Sequence, residues 1–358
     1  MLQEQTIPKE TRINLPICRF VDLKMRKKCF LKIGEIKRRG KYSSEFTMQT
    51  EIIWKKQFKQ SSAFNITPIA DLFNPNYFYV GGGAEDDYGR YTRLRRLSFA
   101  TGEEEASVSL KNNIKEIYFT PDTQFILVLS DDYLLRIQRE NLLITDIYDK
   151  NFPKTPSCMA FNHQPIFFLM NSADKNLFAF NCIEGTKKRK VTKVEGCLSL
   201  DIEDDNHLLI YAPTAIQRYD LVKDKIEILF NTAPYRSVVK DSKGNIYMNL
   251  CDNNRKLLSI IRKMTPDGTY KDYDLSPFNI KFDNFKLSKD EKYLFLMDCY
   301  EKTNTFCKFS LENNEIASKF TFPENERLLM FFEQQQLILT KEKDSFQMNF
   351  IGRKIIRE

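Results

Sequence analysis

Glycine is scarce in this 358-residue chain, at 12 residues, and alanine is as rare, also at 12. Alanine is the best helix former, so its shortage beside 29 Phe and 16 Tyr points to strands. With few glycines, many tight turns must be made by Asn and Asp, which bond their own backbone. There are two His, His163 and His207, and one Trp, Trp54. Two His are too few for most metal or acid–base constellations, and a Ser-His-Asp triad has almost nothing to draw on. No Gly-X-Ser-X-Gly elbow occurs. The Cys residues (Cys18, Cys29, Cys158, Cys182, Cys197, Cys251, Cys299 and Cys307) form no CxxC pair, and none lies near a His at zinc-ligand spacing. Free buried thiols in a reducing cytosol are therefore expected. No apolar run approaches the length of a membrane span, and the first ten residues lack the apolar stretch of a signal peptide. The expectation is a cytoplasmic chain without a membrane segment. A hydrophobic content of 42% supports a large core and excludes disordered, collagenous and coiled-coil classes.

The net charge of +7 is unevenly placed: residues 1–60 hold 15 Lys/Arg against 6 Asp/Glu, and the remainder is slightly acidic. The excess centres on Arg26, Lys27, Lys28, Lys37, Arg38 and Arg39. Such a patch suits phosphate or an acidic partner, or is the solvated face of a basic hairpin.

The strongest signal is an internal period. Seven apolar segments each follow a polar turn: PNYFYVG (75–81), TQFILVLS (123–130), QPIFFLMN (164–171), NHLLIYA (206–212), GNIYMNL (244–250), EKYLFLMD (291–298) and QQLILTK (335–341). Their first strong apolar residues are 48, 41, 42, 38, 47 and 44 residues apart. A weaker strand precedes each turn, as in IKEIYFTPD (114–122). An alternating strand follows, as in NLFAFN (176–181), AIQRYDL (215–221) and NTFCKFSL (304–311). A second turn then closes the unit, among them ATGEE (100–104), TPDG (265–268), LENN (311–314) and IGRK (351–354), and a more polar outer strand follows. Four strands per unit of about 40–50 residues is the signature of propeller blades. A lone sheet hydrophobic on both faces must stack on neighbours, and radial stacking leaves only short edges. The expected fold is an all-β propeller of four-stranded antiparallel blades, seven in number, with eight the alternative. Residues 62–358 are assigned to the repeats. Residues 1–61, with strand-like runs at 17–23, 29–36, 44–52 and 52–58, would close the ring or form the extra blade.

On these repeats the chain resembles the β-propeller superfamily in its broad WD-repeat-like and NHL-like sense. Unit 241–270 is similar to an NHL-type repeat, with a turn Gly, an apolar strand, an Asp-Asn-Asn loop and a closing Asp-Gly. SFATGEE, ending at Glu104, resembles the Thr-Gly turn of many bacterial propellers. The chain departs from the better-known subfamilies: it has no Trp-Asp dipeptide, no recurring kelch Gly-Gly and no quinoprotein Trp motif.

The resemblance places loops between second and third strands on the usual binding face. Residues 81–90 form the most unusual of these, read as a long loop carrying Glu85, Asp86, Asp87, Tyr88 and Arg90. The equivalent loops hold Asp131, Asp132, Asp174, Asp252, Asp298, Glu301 and Asp344. An acidic mouth attracts cationic peptides or metal ions, although turns also favour Asp for local bonding. His163 and His207 fall in turns at the other end, where a shared metal is one reading and capped turn histidines the other. Arg90, Arg93, Arg95 and Arg96 interleave with Tyr91, Leu94 and Leu97, a pattern that binds single-stranded nucleic acid or marks one exposed basic face. The function expected is a non-catalytic scaffold that recognises a protein or peptide, with no cofactor and no metal. The alternatives are a lactonase- or hydrolase-type propeller using carboxylates and a divalent cation, and nucleic-acid binding through residues 24–41 and 90–96.

Overall fold

The computed structural model describes residues 47–58, 67–86, 89–110, 114–120, 122–130, 133–148, 156–161, 166–171, 176–181, 189–194, 196–280, 282–298, 304–343 and 348–357. The strands belong to one compact unit, Ser44–Glu358, and Met1–Ser43 is a separate unit. Arg26, Lys27, Lys28, Lys37, Arg38 and Arg39 lie outside the described residues.

Among the described residues, twenty-eight strands make seven antiparallel four-stranded sheets. The first strand, β1 (Gln49–Phe58), belongs to the last sheet. Sheet I is β2 (Thr67–Ala70), β3 (Tyr77–Asp86), β4 (Gly89–Ser98) and β5 (Glu104–Leu110). Sheet II is β6 (Ile114–Phe119), β7 (Phe125–Ser130), β8 (Leu134–Gln138) and β9 (Ile144–Tyr148). Sheet III is β10 (Pro156–Phe161), β11 (Ile166–Asn171), β12 (Asn176–Asn181) and β13 (Arg189–Lys193). Sheet IV is β14 (Ser199–Asp204), β15 (His207–Ala212), β16 (Ala215–Asp220) and β17 (Lys225–Asn231). Sheet V is β18 (Tyr235–Lys240), β19 (Ile246–Cys251), β20 (Leu257–Met264) and β21 (Tyr270–Asp274). Sheet VI is β22 (Asn284–Leu287), β23 (Tyr293–Met297), β24 (Thr305–Ser310) and β25 (Glu315–Thr321). Sheet VII is β26 (Glu326–Phe332), β27 (Leu337–Glu342), β28 (Met348–Arg357) and, outermost, β1.

The sheets stack as the blades of a β-propeller, because second strands such as β7 and β15 are apolar at successive positions and alternate between two neighbours. In β15, Leu208 and Ile210 pack toward sheet III, against Leu177 and Val194. Leu209 and Tyr211 of the same strand pack toward sheet V, against Ile246, Met248 and Leu250. Sheet I divides likewise: Phe78 and Val80 meet Phe332, Leu337 and Phe350 of sheet VII, whereas Tyr79 and Leu94 meet Ile114, Ile126 and Val128 of sheet II. Sheets V and VI share Tyr247, Tyr273, Phe285 and Phe309, and sheets VI and VII share Phe295, Phe306, Phe331 and Ile338. Cys307, fully buried in β24, has its thiol pushed up to about 12 by burial and is chemically inert.

Scarce glycine shows in the turns. Thr123, Leu142, Asp224, Glu291, Asn314 and Gln336 take the positive φ that glycine supplies elsewhere, as at Gly102, Gly244 and Gly268. Asp side chains hold many of these turns. Asp241 Oδ1 accepts the N–H groups of Lys243 and Asn245, and Asp220 Oδ1 those of Val222 and Lys223.

Two sequence expectations change here. The segment IGRK (351–354) is not a closing turn: it lies inside β28, which runs ten residues and pairs with β1 from Phe58↔Met348 to Gln49↔Arg357. The described part of residues 12–60 is not an eighth blade, because β1 adds to sheet VII instead. The partner strand is supplied from the other end of the sequence, so no turn is needed at 351–354.

The lone Trp secures this pairing. The Trp54 indole N–H donates to the Phe99 carbonyl of sheet I at 2.9 Å, and its ring stacks with Phe78 at 6.4 Å between centroids. A Cβ at Gly352 would collide with that ring. Overpacking of this kind costs about 1–3 kcal/mol. Gly352→Val is therefore expected to lower the urea midpoint, read by Trp54 emission, while the exposed Val222→Ser leaves it unchanged.

Candidate interaction face

Antiparallel order puts first-to-second turns at one end of the propeller and second-to-third loops at the other. At the loop end, residues 81–86 are not loop but strand: β3 and β4 pair through Gly81↔Leu94, Glu85↔Arg90 and Asp86↔Gly89. Each strand is ten residues long, against six and five for β7 and β8 of the next sheet. Four extra residues extend a hairpin by about 13 Å at strand rise. Glu85, Asp86 and Arg90 thus occupy the far end of a long hairpin, and Asp87 and Tyr88 lie outside the described residues. Gly81 lets the hairpin approach sheet II, since a Cβ there would lie 2.8 Å from the Ile114 side chain.

The other acidic candidates separate. Asp131, Asp132, Asp174, Glu301 and Asp344 lie outside the described residues, as does His163. Asp252 is half-buried and holds its own loop, its Oδ1 accepting the N–H groups of Asn254 at 2.9 Å and Lys256 at 2.8 Å. Asp298, expected at an exposed mouth, is 1% exposed.

The basic stretch of β4 also turns inward. Arg95 is 3% exposed, bonds Glu104 Oε2 at 2.9 Å and stacks over the Phe58 ring. Arg96 donates to the Arg139 and Glu140 carbonyls at 3.0 and 2.8 Å. These two arginines tie sheet I to its neighbours.

At the turn end His207 is capped. Its Nδ1 lies 2.8 and 2.9 Å from the Asp204 carboxylate, whose pKa is lowered chiefly by that bond. Glu203, Asp204 and His207 are the one group among the described residues whose ligand atoms cluster within 4.8 Å. Glu203 is already gripped by Arg218 through Nε and Nη2, so the ligand set is satisfied internally.

Two buried polar features were not anticipated. Glu326 and Arg353 form an ion pair inside sheet VII, with Nε 3.1 Å from Oε2, and Thr340 Oγ1 donates to the same oxygen at 2.8 Å. Asn304, from the loop of sheet VI, donates to the Glu326 carbonyl and joins the two blades. The only sequence sign is a charged residue set against an apolar run, in ERLLMFF and again in β28. Removing one partner of such a pair leaves a buried charge and costs about 3–5 kcal/mol. Arg353→Met should lose stability on that scale in urea unfolding, and adding Glu326→Gln should recover part of it.

The second feature is Glu116 in β6. Burial pushes its carboxyl up to about 7, with Lys115 opposing, and its Oε2 meets no hydrogen-bond partner among the described residues. A folded-state pKa above the unfolded one favours the fold below the unfolded value near 4.5, and that advantage fades as pH rises through about 7. Glu116→Gln is therefore expected to match the wild type in thermal stability near pH 4 and to exceed it at pH 8, by about 1–3 kcal/mol.

No protein-family model matches the sequence, and no curated protein matches it at a significant level. Solved structures do. The WD40 domain of Neurospora crassa Pan2 superposes with a TM-score of 0.64 at 7% identity, covering 87% of this chain and 98% of that domain. The C-terminal WD40 domain of Sif2 gives 0.59 at 11% identity, covering 87% and 99%. By fold, the chain is a β-propeller of the architecture seen in WD40 domains. Among the described residues no helix is long and apolar enough to cross a membrane.

Proposed function

We propose that this propeller is a non-catalytic module that binds a protein or peptide partner through its loop end, with the β3–β4 hairpin as the main contact. We read its seven sheets as seven blades of one closed ring, sealed by β1. One observation carries the functional reading: a single hairpin has ten residue pairs, five more than its counterpart in sheet II, and Glu85 and Asp86 lie at its far end. A rigid scaffold that lengthens one connection and charges its tip has the form of a recognition element. The run of acidic residues at 85–87 suits a cationic segment. The WD40 fold of Pan2 and Sif2 supports the fold only, and the reading rests on the hairpin.

The test compares the full chain with a variant in which residues 83–90 are replaced by Asn-Gly, and with the charge reversal Glu85→Lys, Asp86→Lys and Asp87→Lys. Affinity capture from the native cell followed by quantitative mass spectrometry should recover partners with the wild type, and both variants should lose them at least tenfold. Equal recovery by all three would overturn the reading.

A further inference from the structure

The β3–β4 hairpin outgrows the strand beside it. The ladder between β2 and β3 runs from Ala70↔Phe78 to Thr67↔Gly81 and, among the described residues, ends there. β3 and β4 stay paired as far as Asp86↔Gly89. Residues 82–86 therefore have a partner strand on one side only among the described residues. The phase of the ladders says which backbone groups lie along the other side. The Asp71 N–H donates to the Tyr77 carbonyl at 3.0 Å, so Tyr77 turns its hydrogen-bonding groups toward β2. The Phe99 N–H donates to the Asn76 carbonyl at 2.9 Å, so Asn76 turns its carbonyl the opposite way. These directions alternate along a strand in an antiparallel ladder. Tyr79 and Gly81 thus also face β2, and Gly83 and Glu85 carry the same direction past its end. Gly82, Ala84 and Asp86 point to β4. The open edge presents two N–H donors and two C=O acceptors at strand spacing.

An edge of this kind templates the pairing of another strand, and proteins blunt it with a bulge, a Pro or a Lys. The ladders to the outermost strands of sheets I, II, III, IV and VI each carry a register shift. The β3–β4 ladder carries none over its ten pairs, and residues 81–90 contain neither Pro nor Lys. β4 has a shorter open edge, residues 89–91 beyond Thr92↔Leu110, but it includes Arg90, of the same charge as a cationic segment. The end of the β3 edge holds Glu85 and Asp86 instead. A residue of an added strand directly opposite one of these sits about 4.5–5.5 Å away between Cβ atoms, where opposite charges stabilise the pairing and like charges oppose it.

We propose that the partner binds as an added β-strand: an extended peptide segment that bonds the N–H and C=O groups of Gly83 and Glu85 and sets a Lys or Arg opposite Glu85 or Asp86. This rests on the reading of the hairpin as the contact and adds how the contact is made. Main-chain bonds supply the affinity in this mode, and the cation fixes the register. Only every second N–H of the added strand faces β3, so binding depends on alternate backbone positions.

The probe is a phage-displayed library of random seven-residue peptides panned on the immobilised full chain, followed by titration of the enriched synthetic peptide. Enriched clones should share a Lys or Arg. N-methylation of the peptide's backbone amides, one at a time, should weaken binding at least tenfold at alternate positions and little at those between. Gly83→Pro removes one donor from the open edge, leaves residues 85–87 unchanged and should weaken binding about tenfold. The N-methyl scan uses the wild-type chain, so it stands even if Gly83→Pro fails to fold. Glu85→Lys with Asp86→Lys should also weaken the peptide at least tenfold. Loss on this charge reversal without an alternating N-methyl pattern would overturn the added strand and leave the hairpin as the contact. A peptide bound equally by the wild type and the charge reversal would overturn both.

Discussion

The contact between Trp54 and the two sheets it bridges is the point on which the ring depends. The second strands whose side chains are described, such as β7 and β15, are apolar on both faces, so a propeller is stable only if the last sheet finds the first. Here the last sheet takes its outer strand from the beginning of the described chain, and the Trp54 ring lies over Gly352 while its N–H reaches sheet I. One residue thereby couples strand pairing between distant parts of the sequence to the packing of sheet VII on sheet I. The Lys56–Glu103 ion pair and Phe58 beside Phe350 extend the same seam.

Charged groups are held between the stacked sheets. Asp71, at the turn end of sheet I, accepts from Arg139 of sheet II at 3.0 and 3.3 Å and from the Tyr79 hydroxyl at 3.2 Å. Glu326 and Arg353 do comparable work near the loop end of sheet VII. Buried pairs of this kind add little net stability but penalise wrong arrangements heavily, because each alternative packing strands a charge. In a chain built from similar apolar strands, such pairs help to specify which blade lies beside which. They also account for residues that look like surface features in the sequence: Arg95, Arg96 and Asp298 serve the interior or the junctions, and so are removed from the set available to a partner.

The two ends of the propeller then differ in character. The loop end carries the long β3–β4 hairpin, whereas the turn end carries an apolar cavity lined by Phe295, Phe331 and Phe332.

The architecture was legible in the linear order of residues because burial on both faces leaves a local trace. The segments 123–130, 206–212 and 291–298 are the second strands β7, β15 and β23, and their near-continuous apolar character follows from having a neighbour on each side. Turns were legible for the same local reason, since Asp and Asn at fixed offsets bond their own backbone. Residues 351–354 were misread because a Gly and two charges resemble a turn, when Gly352 instead makes room for a Trp almost 300 positions earlier. The hairpin at 81–90 was misread as a loop because three glycines have weak strand preference, which cross-strand pairing overrides. The sequence alone thus determined the repeat, the strand order within each unit and the chemistry of the turns, all of which rest on contacts between near neighbours. Only the tertiary structure decided which charges are buried, which strand completes the last sheet and which residues line the cavity, because those depend on contacts between segments that have no proximity in the chain.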